Sequence, residues 1–208
     1  MIKAIVFDMD GVLIEAKEWH YEALNKALGL FGYSISRHDH LTSFDGLPTS
    51  RKLEKLSVEQ NLPMELHAFI NEMKQQYTME AVYSNCKPTF NHQYALSALK
   101  KQGYKIAVAS NSIRNTVDIM MEKSGLDVYL DLKLSHEDVA KPKPAPDIYT
   151  RVFSLLGVMA NECLVVEDNE NGIKAAVSSG AHVLVVNDVS EVNLETILGK
   201  VSQVMSEQ

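Results

Sequence analysis

The sequence predicts an α/β protein with a doubly wound parallel sheet and an inserted all-α segment, and three observations carry this prediction. Short runs rich in β-branched residues alternate with helical patterns, which is typical of parallel sheets. Several runs are apolar almost throughout, as expected of strands covered on both faces. Residues 15–82 contain helical patterns and no convincing strand, which indicates an insertion.

Five runs are predicted as strands, namely residues 2–8, 104–110, 129–135, 163–168 and 182–188. Three of the intervening helices are predicted to begin after a polar cap and to end at a glycine. The caps are Thr89, Ser112 and Asn169, and the corresponding glycines are Gly103, Gly125 and Gly180.

The insertion divides the chain into two predicted domains, a core of residues 1–14 and 83–208 and a helical domain of residues 15–82. Two apolar stripes at helical spacing predict a small helical bundle in the insertion. The first stripe contains Ala23, Leu24, Ala27, Leu28 and Phe31, and the second, after Pro63, contains Leu66, Phe69, Ile70, Met73 and Tyr77. We interpret both as core residues of that bundle.

Composition narrows the possible partners. The formal net charge of −7 argues against a nucleic-acid backbone or an anionic membrane as the main partner. Cys86 and Cys163 lie far apart and lack metal-ligand spacing, so neither a disulfide framework nor a zinc site is expected. With no secretory or membrane-spanning pattern visible, the expected location is cytoplasmic.

Polar residues collect where the predicted strands end. They are Asp8 and Asp10 after the first strand, Ser110 and Asn111 after the second, Lys141 and Lys143 after the third, and Glu167 and Asp168 after the fourth. Ligands of open parallel sheets bind at the carboxyl ends of the strands, so these groups are expected to converge in one crevice.

The convergent groups predict a chemistry. Clustered carboxylates repel one another and need a cation, and oxygen ligands beside a substrate phosphate suit Mg²⁺. The lysine and the serine hydroxyl would hold a phosphoryl group. One aspartate could attack phosphorus, and a second could protonate the leaving oxygen and later activate water.

The motifs DMDGVL, VASNS, KPAPDIY and VVEDNENG, in this order, resemble those of the haloacid dehalogenase-like phosphohydrolases. The resemblance spans nearly the whole chain and implies a Rossmann-like catalytic core. By position it implies that Asp8 is the nucleophile and a Mg²⁺ ligand. It also implies that Asp10 is the general acid and base and that its backbone carbonyl is a further Mg²⁺ ligand. Asp168 is then a direct Mg²⁺ ligand, and Glu167 acts on the metal through water.

In the same resemblance Ser110 and Lys143 hold the phosphoryl group, and Asn111 is expected to be a further substrate-binding residue. The sequence KPKP offers Lys141 as a second candidate lysine, and the motif as a unit favours Lys143. The insertion falls where one branch of the family carries a helical cap that closes over the site. Trp19, His20 and Arg51, the last in the segment 45–52, are the expected substrate-binding residues of this cap.

The predicted function is that of a Mg²⁺-dependent phosphatase acting on a small phosphorylated metabolite such as a sugar phosphate, through an aspartyl-phosphate. The alternative is a β-phosphoglucomutase-like phosphomutase, for which Arg51 and Arg114 would supply a second phosphate grip. A non-catalytic binding protein is the third hypothesis, and four intact motifs argue against it. No nucleic-acid or membrane partner is expected, and the expected assembly is a monomer or weak homodimer.

Overall fold

The computed structural model describes residues 1–44 and 46–206 and divides into two compact units. One unit comprises Met1–Glu15 and Lys87–Gln208, and the other comprises Ala16–Cys86. The first, the sheet unit, contains the strands, whereas the described elements of the second, the helical unit, are all helices or helical turns. Across the described ranges, no helix combines the length and the apolar character that a membrane crossing requires.

The helical unit is held together by one apolar cluster. Its helices are α1 (Lys17–Gly29), α2 (Arg37–Asp39), α3 (Thr49–Gln60) and α4 (His67–Asn85), with a π-helical turn at His40–Phe44 and a 3₁₀ turn at Met64–Leu66. Leu24 and Leu28 of α1 pack with Leu53 and Leu56 of α3 and with Ile70 of α4. The helical spacing of these residues places them on the inward face of each helix.

Two aromatic residues of the predicted stripes lie outside this cluster. Helix α1 ends at Gly29, before Phe31, and the Phe31 and Phe69 side chains are 38% and 46% exposed. Their rings meet edge to face, with centroids 5.8 Å apart. The expectation that Phe31 and Phe69 are core residues is therefore wrong. Phe31 is exposed because the chain leaves the helix before the period of the first stripe is complete, whereas Phe69 lies in the first turn of α4 and contacts Phe31 at the surface.

The sheet unit contains five parallel strands in the order β3-β2-β1-β4-β5. The strands are β1 (Ala4–Phe7), β2 (Lys105–Ala109), β3 (Leu132–Leu134), β4 (Cys163–Glu167) and β5 (His182–Val185). The chain moves outward from β1 to β3 and then returns to the other side of β1, so the predicted doubly wound parallel sheet is confirmed. All five strands are shorter than the predicted runs, most of all in residues 129–135, which open in a 3₁₀ turn.

Helices cover both faces of this sheet. They are α5 (Phe90–Lys101), α6 (Arg114–Lys123), α7 (Asp147–Leu156), α8 (Glu170–Ser178) and α9 (Leu194–Ser206). Val6 packs with Val152 of α7 and Ala175 of α8. Ile5 and Phe7 point to the opposite face because strand side chains alternate, and both are fully buried there. The core therefore fills both sides of β1, as the apolar run predicts.

Two of the three residues predicted to cap helices occupy the N-cap position in the structure. Thr89 precedes α5, and Asn169 precedes α8, where its side chain accepts a hydrogen bond from the Asn171 N–H. The prediction of Ser112 as the cap of α6 is wrong, since the N-cap residue is Ile113. A glutamate distant in sequence supplies the acceptor: the Glu137 carboxylate receives the Arg114 N–H at 2.6 Å.

Candidate active site

The loop after β1 places two aspartates at the carboxyl edge of the sheet. The Asp8 N–H donates to the Val166 carbonyl of β4 at 3.0 Å, which extends the strand pairing to the first aspartate. The chain then turns sharply at Gly11, whose φ of +86° is a conformation that glycine adopts without strain. The Gly11 N–H closes the turn on the Ile14 carbonyl at 2.7 Å. This loop fixes Asp10 two residues beyond Asp8.

Lys143 lies at the centre of the site. Its ammonium donates to Asp8 Oδ1 and to Glu167 Oε1, each at 2.7 Å, and its side chain is 4% exposed. Lys141 is exposed to solvent. Of the two lysines that the sequence offers, the structure brings Lys143 to the aspartate of the first motif.

The end of β4 supplies two further carboxylates. Glu167 is fully buried, and its Oε2 accepts the Asp168 N–H at 3.3 Å. Oxygen atoms of Asp8, Glu167 and Asp168 all lie within 4.8 Å of one another. Three carboxylates in this space form an all-oxygen donor set, which is the set that Mg²⁺ prefers. The residues present therefore fit the cofactor that the motifs imply.

The end of β2 contributes three consecutive polar residues with different contacts. Ser110 is buried, and its hydroxyl accepts the Ser112 N–H at 3.0 Å. The Ser112 hydroxyl donates to Asp10 Oδ2 at 2.9 Å. Between them, the Asn111 side chain bonds to the backbone of Lys143. Ser112, expected only as a helix cap, thus contacts the carboxylate expected to act as general acid.

Tyr149 belongs to the same buried group, although no role is predicted for it from the sequence. Its hydroxyl donates to Glu167 Oε1, and the Lys143 ammonium lies 5.0 Å from the centre of its ring. Burial raises the pKa of the Tyr149 phenol well above its usual value, and the adjacent Glu167 raises it further, so the hydroxyl keeps its proton. One feature of the sequence points to Tyr149, because it is the last residue of the lysine motif KPAPDIY.

The electrostatics of the group favour a charged lysine. Burial lowers the pKa of the Lys143 ammonium, but the carboxylates of Asp8 and Glu167 raise it by more, so its pKa lies above the usual value. Burial raises the pKa of the Asp8 carboxyl well above its usual value, against the lowering effect of Lys143. Glu167, Asp168 and Asp10 add to that rise. The acids outnumber the lysine, and a bound cation would offset this excess negative charge.

The expected substrate-binding residues of the insertion lie in the helical unit. Trp19 and His20 are partly buried on α1, and His20 Nδ1 lies 3.2 Å from the ammonium of Lys74 on α4. Lys74 is buried, although it belongs to neither of the two predicted apolar stripes. Arg51 is exposed and pairs with Glu54 at 2.8 Å. The segment 45–52 was expected to be a loop, but its residues Thr49 to Lys52 lie in the first turn of α3, and its first residue, Asp45, lies outside the described ranges.

Arg114, the second arginine considered for a phosphate grip, is engaged within the sheet unit. Its guanidinium forms an ion pair with Asp138 and donates to the Lys133 carbonyl at 2.8 Å. Arg51 and Arg114 therefore both have acidic partners in this structure.

The fold and the site together define a class: a doubly wound sheet with a carboxylate and lysine cluster at its strand ends, suited to phosphoryl transfer. Residues 5–186 match the family of haloacid dehalogenase-like hydrolases, and the chain belongs to that family. The expected family is thereby confirmed.

Known proteins resemble the chain over most of its length. It is 27% identical to the phosphorylated carbohydrates phosphatase of Thermotoga maritima, over 86% of this chain and 82% of that protein. It is 27% identical to the pyrophosphatase PpaX of Bacillus cereus, over 89% of this chain and 83% of that protein. The predicted enzyme class, a phosphoric monoester hydrolase of this family, agrees with the family match and with the phosphatase name of the first relative.

A solved structure shares the fold. The β-phosphoglucomutase of Clostridium difficile superposes with a TM-score of 0.85, covering 99% of this chain and 100% of that chain at 22% identity. This likeness shows the fold.

Proposed function

We propose that the chain is a Mg²⁺-dependent phosphatase that releases phosphate from a small phosphorylated metabolite through an aspartyl-phosphate. The observation that carries the proposal is the contact of Lys143 with Asp8 and Glu167 inside a cluster that also contains Asp168. A buried ammonium beside a carboxylate nucleophile shields its charge from the incoming phosphoryl oxygens. The family match and the carbohydrate phosphatase relative support the same reaction class.

In the proposed reaction an Asp8 oxygen attacks phosphorus, and the bond from phosphorus to the leaving oxygen breaks. Asp10 gives its proton to that oxygen, so the product leaves as an alcohol. Asp10 then takes a proton from water, which attacks phosphorus and releases inorganic phosphate from Asp8. Ser110 and Lys143 hold the phosphoryl oxygens through both steps.

The metal site of the proposal uses Asp8, Asp168 and the backbone carbonyl of Asp10, with Glu167 acting through water. When bound, Mg²⁺ supplies positive charge that offsets the carboxylates and the phosphoryl oxygens. The direct contacts of Glu167 with Lys143 and Tyr149 agree with this outer role.

The helical unit is proposed as the cap that selects the substrate, with Trp19, His20 and Arg51 as its contact residues. The substrate class is a sugar phosphate or similar monoester, in line with the name of the Thermotoga relative. We further propose a cytoplasmic enzyme that acts as a monomer or weak homodimer.

The test is phosphate release by the full chain from sugar phosphates, phosphoglycolate, nucleoside monophosphates and pyrophosphate, with Mg²⁺ or with a chelator. We expect release from at least one monoester, lost with the chelator. Replacing Lys143 by Met should lower kcat/KM by about 100-fold or more, because one phosphoryl-oxygen contact is lost. Lys141→Met, at the exposed neighbouring lysine, is the matched control and should leave kcat/KM unchanged. Equal release in the chelator, or equal losses in the two variants, would contradict the proposal.

A further inference from the structure

The side chain of Asn111 connects the loop after β2 to the segment that carries Lys143. Its Nδ2 donates to the Lys143 carbonyl at 3.2 Å, and its Oδ1 accepts the Lys143 N–H at 3.0 Å. Both polar atoms of one planar amide thus bond to the backbone of a single residue. Two such bonds restrain both the position and the rotation of that residue's backbone.

The sequence around Lys143 makes this contact more important. Pro142 and Pro144 flank the lysine, and proline has no N–H to donate. Within residues 142–144 the backbone N–H of Lys143 is therefore the one amide donor that can anchor the segment. Asn111 receives it.

The restrained backbone bears the ammonium at the centre of the site. Lys143 reaches Asp8 and Glu167 at 2.7 Å each, and both contacts depend on where the backbone of residue 143 lies. The ammonium of a lysine is carried on a flexible four-carbon stem. A shift of the backbone at residue 143 therefore changes which carboxylate oxygens the ammonium contacts.

We infer that Asn111 is a positioning residue that acts on the reaction through Lys143, rather than the substrate-binding residue that the sequence predicts. The inference rests on the proposed function for its effect on activity. The contacts that carry it are the two backbone bonds of the Asn111 amide.

The first test is a double-mutant cycle in kcat/KM with Asn111→Ala and Lys143→Ala. Asn111→Ala alone should lower kcat/KM by roughly 100-fold, as expected when a catalytic group is misplaced by about 1 Å. In the Lys143→Ala background the same change should cost no more than about twofold, because no ammonium is left to position. Equal losses in both backgrounds would overturn the inference and indicate a direct phosphate contact.

A matched control exists in the helical unit. The Asn25 side chain makes the same two bonds to the backbone of Ile35, donating to its carbonyl at 3.0 Å and accepting its N–H at 2.8 Å. Asn25→Ala removes an equivalent pair of bonds away from Lys143. It should keep kcat/KM close to that of the unaltered chain, and a loss as large as that of Asn111→Ala would assign the effect to general destabilisation.

A second measurement does not depend on activity. Brief acetylation with acetic anhydride, followed by peptide mass spectrometry, compares the buried Lys143 with the exposed Lys141 two residues away. Asn111→Ala should raise the labelling of Lys143 relative to Lys141 several-fold, and the buried Lys52 and Lys74 should not change. Unchanged labelling of Lys143 would overturn the inference even if the enzyme is a phosphatase.

The two measurements separate the inference from the proposed function. If the unaltered chain releases no phosphate but Asn111→Ala exposes Lys143 to labelling, the proposed function fails and the positioning contact stands. If Asn111→Ala does not fold, Asn111→Asp replaces it in both measurements, since aspartate keeps an acceptor for the Lys143 N–H and loses the donor to its carbonyl.

Discussion

At the scale of single residues, Gly172 shows how tightly the buried glutamate is enclosed. A Cβ built on Gly172 would lie 1.9 Å from Glu167 Oε1, far inside van der Waals contact. Glu167 cannot easily move away, because Lys143 and Tyr149 hold the same oxygen and the side chain is fully buried. The glycine in the first turns of α8 is therefore required by the glutamate of β4.

Gly172→Ala is predicted to destabilise the protein by about 1–3 kcal/mol, the usual cost of overpacking a core. Intrinsic helix propensity alone predicts the opposite change in the free energy of unfolding, because it favours alanine over glycine by about 1 kcal/mol inside a helix. Urea unfolding measures the difference directly. The control is Gly199→Ala in α9, where a Cβ meets nothing within 4 Å and stability should rise by about 0.5–1 kcal/mol. A gain at both glycines would contradict the packing seen around Glu167.

The same scale shows what sequence reasoning can and cannot find in the site. Asp8, Asp10, Glu167 and Asp168 follow apolar strands, so their placement at one edge of the sheet could be predicted from the strand pattern. The contact of Tyr149 could not be predicted, because Tyr149 lies on α7 and its partner Glu167 on β4, and tertiary packing brings the two together. The motif as a unit favours Lys143 over Lys141, whereas the strand and helix patterns alone do not show which of the two lysines the backbone turns inward.

At the scale of elements, strand and helix positions followed from local patterns, while their ends depended on distant contacts. The run 104–110 predicts β2 well, because its apolar residues are buried on both faces. The start of α6 was missed because Glu137, far along the chain, accepts the first N–H of that helix. Ser112 is a good capping residue by type, and here it bonds to Asp10 instead.

Asp131 joins strand β2 to helix α5. Its carboxylate accepts the Ile106 N–H of β2 at 2.8 Å and pairs with Lys100 of α5. Partial burial raises the pKa of Asp131, but the hydrogen bonds from Lys100 and Ile106 lower it by more, so its pKa in the folded protein lies below the usual value. The ionised carboxylate therefore stabilises the fold at neutral pH.

Asp131→Asn is predicted to lower the free energy of unfolding by about 1 kcal/mol at pH 7, the order expected for a partly exposed charged hydrogen bond. Since the folded-state pKa lies below the unfolded value of about 3.9, the contribution is complete above that value and is lost as the pH falls through the folded pKa. Unfolding of both proteins at pH 7 and in acid measures it, and the difference should shrink in acid.

The control for this prediction is Asp127→Asn. Asp127 forms an ion pair with Lys133, and the Asp127 side chain is 45% exposed. Exposed pairs contribute little, so this change should stay within about 0.5 kcal/mol at pH 7. If Asp131→Asn costs as much in acid as at pH 7, the stabilisation does not come from the charge of Asp131.

At the scale of the whole molecule, strand order explains why residues far apart in sequence meet. With β1 between β2 and β4, the carboxyl ends of three neighbouring strands bring together the segments that begin at Asp8, Ser110 and Glu167. The alternation of strands and helices predicts a parallel sheet of this kind, and the topological rule predicts where a ligand binds. The proposed chemistry then depends on one event, the transfer of a phosphoryl group to Asp8.

The most direct test of that event is to trap the phosphorylated aspartate. The full chain is mixed with its best substrate and Mg²⁺, quenched in acid and reduced with borohydride, which converts an aspartyl-phosphate to homoserine. Asp8→Asn, which has no carboxylate to attack phosphorus, is the blank. We predict homoserine at position 8 by peptide mass spectrometry. Turnover with an unmodified Asp8, or homoserine at another aspartate, would contradict the proposed mechanism.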